Sequence, residues 1–212
     1  MRGIAFIGGD GPDRDIGMKA LGRFDRAVAA DSGLIAAERW QVRCDLIVGD
    51  MDSIDDTSRL DKYPPDTVIR LPTDKDETDT EAALRLLAGL GCTERILIGG
   101  GGGRLDHTLA IVALFDRGDV PDRWITALED VRLLDAGVDG HAELRSSVRP
   151  HSLVSVFPLG EGPWIARSDG LRWALDELRW KRGEFGISNV AETGTFSVSA
   201  ERGRFLVITP LV

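Results

Sequence analysis

Ile96-Leu97-Ile98-Gly99-Gly100-Gly101-Gly102-Gly103-Arg104-Leu105-Asp106-His107 is the stretch that decides the fold. It runs from an apolar triplet through five consecutive glycines into a helix candidate over 105–115, with Leu105, Leu109 and Val112 on one face. A short, nearly continuous apolar run has no solvent-facing side, so it predicts a strand buried on both faces, as in a parallel sheet. The same grammar recurs upstream. Gly3–Ile7 leads into Gly8-Gly9, Ala27–Ala30 into Asp31-Ser32-Gly33, Leu46–Val48 into Gly49-Asp50, and Val68–Leu71 into Pro72-Thr73-Asp74. Between the last two strands, Thr80–Leu90 carries Ala82, Ala83, Leu86, Leu87 and Leu90 on one helical stripe. Strand and helix alternate in this way through the first two thirds, which predicts an open, mostly parallel α/β sheet with flanking helices.

After Gly137 the helical pattern fades into short β-rich pieces, Leu153–Phe157, Thr195–Val198 and Phe205–Ile208, punctuated by Pro158, Gly160, Gly162-Pro163 and Gly203. This predicts a small antiparallel β domain, with the division placed at residues 1–140 and 141–212. The 212-residue chain has 26 Lys and Arg against 35 Asp and Glu, a net charge of −9. That balance lacks the field of a nucleic-acid binder. Cys44 and Cys92 are too few for a disulfide scaffold and have no CxxC partner for a zinc site. No apolar run approaches the length of a signal-peptide core or a membrane span, so a cytoplasmic protein without nucleic-acid or membrane partners is expected.

In a parallel α/β sheet, ligands bind beyond the carboxyl ends of the strands. Acidic residues collect there: Asp31 after the second strand, Asp50 and Asp52 after the third, Asp74, Asp76 and Asp79 after the fourth, and Asp106 past the glycines. Turn formation and helix capping account for aspartates at strand ends. A converging rim of them instead calls for a hard divalent cation, and oxygen-only ligands favour Mg²⁺. The glycine run lets backbone amides approach phosphate oxygens, the next helix start adds its positive end, and Arg104 can grip a phosphate bidentately. It is neither a Walker A loop nor a first-strand dinucleotide fingerprint. His107 is either a proton carrier or a packing residue. No arrangement for covalent nucleophilic catalysis is legible.

Ala30-Asp31-Ser32-Gly33, Gly49-Asp50-Met51-Asp52-Ser53, Lys75-Asp76-Glu77-Thr78-Asp79 and Gly102-Gly103-Arg104-Leu105-Asp106-His107 stand in the order seen in thiamine pyrophosphokinases. Gly170-Leu171-Arg172-Trp173 and Gly186-Ile187-Ser188-Asn189 look like that family's thiamine-side motifs, so the resemblance spans essentially the whole chain. It implies an α/β catalytic domain that binds ATP and Mg²⁺, a β-sandwich domain that binds thiamine, a homodimer, and transfer of the pyrophosphoryl group of ATP to thiamine. In that scheme Asp50, Asp52 and Asp79 hold Mg²⁺, directly or through water, with Asp31 and Asp106 close by. Gly101, Gly102, Gly103 and Arg104 hold the phosphates, joined by Lys75 and His107. Trp173 stacks on thiamine, with Ser188 and Asn189 as polar contacts; without the resemblance, Trp173 reads as a core aromatic. Two departures stand out: Met51 replaces a usual Phe, and Ala110-Ile111 replaces a usual Ala-Asn. The competing expectations are a pyrophosphokinase for another heterocyclic alcohol, such as a hydroxymethylpterin, and a nucleotide or thiamine-diphosphate sensor without turnover.

Overall fold

The computed structural model describes residues 1–117, 121–137 and 140–211. They form two compact units, Met1–Leu128 and Glu129–Val212. In the first, strands β1 (Arg2–Phe6), β2 (Arg26–Ala30), β3 (Leu46–Gly49), β4 (Val68–Arg70), β5 (Glu94–Ile98) and β6 (Arg123–Ile125) alternate with helices. The helices are α1 (Arg14–Leu21), α2 (Gly33–Arg39), α3 (Asp79–Gly89) and α4 (Leu105–Leu114). The strands lie in the order β6-β5-β1-β2-β3-β4, every neighbouring pair parallel. Ile4, Ala5, Phe6, Val28, Ala29, Ile47, Ile96 and Leu97 are completely buried, as runs without a solvent-facing side require.

This order fixes where a ligand goes. From β1 the chain winds outward through β4, then crosses to the other side of β1 to lay down β5 and β6. The loops after β1 and β5 therefore leave in opposite directions and open a crevice between them. Helix α3 starts with a capping box: the Thr78 hydroxyl accepts from the Glu81 backbone amide, and the Glu81 carboxylate accepts from the Thr78 amide at 2.8 Å. Its apolar stripe buries Ala82, Ala83 and Leu87, with Leu84 added. Helix α4 departs from expectation. Leu105 and Leu109 are 71% and 59% exposed, whereas Ile111 and Leu114 are buried. The helix turns a different pair of residues inward, and the anticipated stripe faces solvent.

The second unit holds β7 (Glu129–Asp135), β8 (Ala142–Ser147), β9 (Ser152–Leu159), β10 (Ile165–Asp169), β11 (Gly186–Ala191), β12 (Thr195–Arg202) and β13 (Arg204–Pro210). Within it, β11-β9-β13-β7 form one antiparallel arrangement and β10-β12-β8 another. Val154, Val156, Phe205 and Val207 from the first meet Ala166, Phe196, Val198 and Ala200 from the second in one core. Strand β12 alternates buried and half-buried residues along its length, as expected where one face is covered. The division falls before β7 rather than after residue 140, because β7 pairs along its whole length with β13. No helix among the described residues is long and apolar enough to cross a membrane.

Candidate active site

The crevice between β1 and β5 is a cleft of about 400 Å³ in the first unit. Gly8 and Gly9 border it after β1, Asp31 and Ser32 after β2, and Ser53 beyond β3. Lys75, Thr78 and Asp79 line the wall leading into α3, and Gly100, Gly102, Gly103, Arg104, His107 and Ile111 close the opposite side. Five separated stretches of sequence thus face one space.

Asp31, Asp50 and Asp79 each bring a carboxylate oxygen within 4.8 Å of the others. The backbone arranges this. Asp31 sits at φ +47 just past β2, and its amide donates to the Val48 carbonyl at 2.8 Å. Gly49 makes the approach possible, since a Cβ there would lie 3.0 Å from that of Asp31. The chain then turns at Met51, which adopts φ +67 and buries its side chain to 4% exposure. That turn aims Asp50 at the trio and lets the Asp52 amide donate to Asp50 Oδ1 at 3.2 Å. Asp52 itself is exposed and accepts from the Ser53 hydroxyl at 2.9 Å, so the inward position expected for Asp52 is taken by Asp31. Asp74 and Asp76 are exposed and do not line the cleft.

The trio is short of partners. Asp31 is 9% exposed, and its Oδ1 is buried without a hydrogen-bond donor, as is Asp79 Oδ1. Burial pushes the Asp31 carboxyl above the usual carboxylate range; the Ser53 hydroxyl and Ser32 amide pull against this, and Asp79 and Asp50 add to it. Three close carboxylates, two of them with a buried oxygen that lacks a hydrogen-bond donor, fit a hard divalent cation with oxygen ligands, and they fit poorly with simple capping. Beside them, Lys75 Nζ lies 3.2 Å from Asp79 Oδ1 and donates to the Pro72 carbonyl at 3.2 Å.

The glycine run divides in two. The Gly99, Gly100 and Gly101 amides donate to the carbonyls of Ile125, Gly8 and Asp10, so they serve the fold. Gly101 also pairs with Asp10 in an isolated bridge and does not line the cleft. Gly102 and Gly103 do line it, both with positive φ. A side chain at Gly102 would strain its left-handed backbone and push the Asp10 carboxylate aside, because a Cβ would come within 2.3 Å of Asp10 Oδ2. Arg104 is exposed and grips Asp106 through two bonds, Nη2 to Oδ2 at 2.6 Å and Nε to Oδ1 at 3.1 Å. The pair raises the Arg104 guanidinium and lowers the Asp106 carboxyl, each through its hydrogen bond to the other. Asp106 borders an adjoining hollow of about 260 Å³, which shares Thr78, His107 and Ile111 with the main cleft. Ser53 and Thr78 were absent from the expected set; the Thr-x-x-Glu capping signature at 78–81 marks the second.

The second unit presents the remaining candidates. Trp173 is 56% exposed, which excludes the core reading, and the Arg172 guanidinium lies 5.5 Å from its ring centroid. Arg172 is itself paired with Glu192. Asn189 is buried, its Oδ1 accepting from the Trp173 and Val190 amides at 3.1 and 2.9 Å and its Nδ2 donating to the Trp173 carbonyl at 2.7 Å. It therefore fixes Trp173 rather than opening its amide to solvent. Ser188 is exposed at φ +59, with its amide donating to the Ser155 hydroxyl at 3.2 Å.

Residues 19–118 match the family model described as the thiamin pyrophosphokinase catalytic domain. No curated protein matches the chain. Among solved structures, a thiamine pyrophosphokinase from Bacillus subtilis is similar with a TM-score of 0.79 at 19% identity, covering 100% of both chains. A thiamin pyrophosphokinase family protein from Enterococcus faecalis has a TM-score of 0.76 at 21% identity, covering 99% of each chain. The thiamin pyrophosphokinase from Candida albicans has a TM-score of 0.71 at 16% identity, covering 100% of this chain and 89% of its own. At these identities the structural likeness speaks for the fold.

Proposed function

We propose that the chain, which belongs to the thiamin pyrophosphokinase family through residues 19–118, transfers the pyrophosphoryl group of ATP to the hydroxyl of thiamine, giving thiamine diphosphate and AMP. The observation that carries this reading is the convergence of Asp31, Asp50, Asp79, Lys75, Gly102, Gly103 and Arg104 on one crevice. Acidic oxygens on one side and phosphate-sized donors on the other are what a polyphosphate with its counter-ion requires.

Asp31, Asp50 and Asp79 would hold Mg²⁺, with Asp52 bracing Asp50 through its backbone amide. When bound, the ion supplies charge neutralisation at the group in transfer. Gly102 and Gly103 let the phosphates approach the backbone, and Arg104 exchanges Asp106 for phosphate oxygens of the same fork geometry. His107 borders the phosphates at the first turn of α4. The thiamine hydroxyl attacks the β-phosphorus, a rim carboxylate accepts its proton as the new P–O bond forms, and AMP departs with the bridging oxygen. Positioning dominates such transfers, so no strong dedicated base is needed. Trp173, locked by Asn189, offers its ring to the cationic thiazolium, and Ser188 stands beside it as a polar contact. The resemblance further supports a homodimer, checked by sedimentation, and a cytoplasmic location, checked by fractionation.

The test is AMP release from ATP with thiamine, with a hydroxymethylpterin, and with neither. AMP formation dependent on thiamine is expected. Dependence on the pterin would reassign the acceptor, and tight binding of nucleotide without AMP would make the protein a sensor.

A further inference from the structure

Two cationic side chains border the cleft in contrasting states. Arg104 lies at the exposed rim, paired with Asp106. Lys75 is drawn inward, its side chain 13% exposed, and its ammonium rests on Asp79 Oδ1. Asp79 belongs to the carboxylate trio, and the same Oδ1 atom has no hydrogen-bond donor. The ammonium therefore neutralises the rim by proximity without saturating the oxygen. Its bond is to the Pro72 carbonyl, a neutral backbone acceptor on its own loop.

We infer that Lys75 is the resident counter-cation of the metal-free cleft, which a divalent ion must displace from Asp79 and which then becomes available to a phosphate. This rests on the proposed reading of the trio as a divalent-cation site. A divalent ion bound to a carboxylate oxygen sits about 2.1 Å from it. An ammonium 3.2 Å from the same oxygen would then stand no more than about 5.3 Å from the ion, at a distance where like charges repel strongly in a poorly solvated crevice. The two cations thus compete for Asp79. Because such coupling is reciprocal, a polyphosphate that draws Lys75 away also raises the affinity of the rim for the metal. Metal and nucleotide would enter together rather than in a fixed order. Lys75 is on this account a positioning residue that keeps the empty rim from trapping a metal without its nucleotide.

The experiment measures Mn²⁺ binding to the whole, nucleotide-free protein by the electron paramagnetic resonance of the free ion. It compares the parent with Lys75→Gln, which can still donate to the Pro72 carbonyl, and with Lys75→Met. Both variants should bind Mn²⁺ about tenfold more tightly than the parent, with circular dichroism confirming their fold. If one variant does not fold, the other carries the test. Affinity equal to or weaker than the parent's, or no Mn²⁺ binding by any of the three, overturns the inference. AMP formation by the parent separates the two claims. Tighter Mn²⁺ binding in the variants without thiamine-dependent AMP strikes only the transferase reading, whereas unchanged Mn²⁺ affinity beside normal AMP formation strikes only the role of Lys75.

Discussion

Asn189 and Asp31 are buried to a similar depth, 4% and 9% exposed, and their polar atoms meet opposite fates. The Asn189 amide is held by three backbone groups of Trp173 and Val190. Asp31 leaves Oδ1 without a donor and faces two more carboxylates. A buried polar group without a partner costs roughly 1–3 kcal/mol, more when charged, so folding tolerates it only where something else completes it. Saturation marks Asn189 as support for an exposed aromatic, and deficit makes Asp31 a candidate for a ligand site. The same contrast divides the glycine run, where Gly99–Gly101 amides are consumed by the fold and Gly102–Gly103 face the cleft.

The largest effect should come from the deficient cluster. Asp50→Asn or Asp79→Asn should lower thiamine-dependent AMP formation at least about 100-fold, since metal clamping supplies several kcal/mol in phosphoryl-type transfer. The assay is run at limiting Mg²⁺. Parental rates in both variants would remove these residues from the site. Asp52→Asn, whose carboxylate lies outside the trio, should lose less, because it braces Asp50 through a backbone amide that the substitution keeps.

Next in size are the residues proposed to face phosphate. Gly102→Val combines a left-handed backbone with a collision against the Asp10 carboxylate, and should weaken ATP binding at least about 30-fold. Arg104→Lys keeps the charge and loses the fork, so a loss of about tenfold is expected. Calorimetric titration with ATP reads both. If both variants bind like the parent, the glycine run is a linker and nothing more.

The saturated cluster predicts a different pattern. Trp173→Ala should raise the Michaelis constant for thiamine about 5- to 30-fold and leave ATP binding nearly intact. Asn189→Ala should act in the same direction, and it should also lower stability by about 1–3 kcal/mol because backbone groups at Trp173 and Val190 lose their partner. Urea titration beside initial-rate kinetics reads both effects. An Asn189→Ala protein with parental stability would end the view that its amide holds the loop.

Much of this was legible in the residues, and the shortfall has physical causes. Apolar runs such as Ile96–Ile98 locate the parallel strands because burial on both faces leaves no room for polar alternation. The buried face of α4 differs from the expected stripe because a helix apolar nearly all round, as Leu105–Leu114 is, gives periodicity little to discriminate. Asp31 replaced Asp52 in the trio because the left-handed turn at Met51 decides which aspartate points inward, and spacing alone does not encode that sign. Strands β8 and β10 give no clear strand signal, because charge in Glu143, Arg145 and Arg167 dilutes their alternation. Gly101 joined the expected phosphate set because five identical residues carry no mark of which amides the fold will use.

The smallest effect tests the deficit directly. In a chelator, Asp31→Asn should raise the melting temperature rather than lower it. The substitution removes one of three crowded negative charges and supplies an amide that can donate to the other two carboxylates. Relief of about 1 kcal/mol would shift the midpoint by roughly 2–4 °C for a chain of this size. The sign with pH follows from the direction of the Asp31 shift. A carboxyl raised above its unfolded value costs nothing while both states are protonated, and its cost develops as pH rises through the ordinary value to the raised one. The advantage of Asp31→Asn should therefore be absent in acid and grow toward neutrality. Millimolar Mg²⁺ should shrink or reverse it, because only the parent retains the full trio and gains stability from binding. A lower midpoint in chelator at neutral pH would show that Asp31 is satisfied after all, and its contrast with Asn189 would collapse.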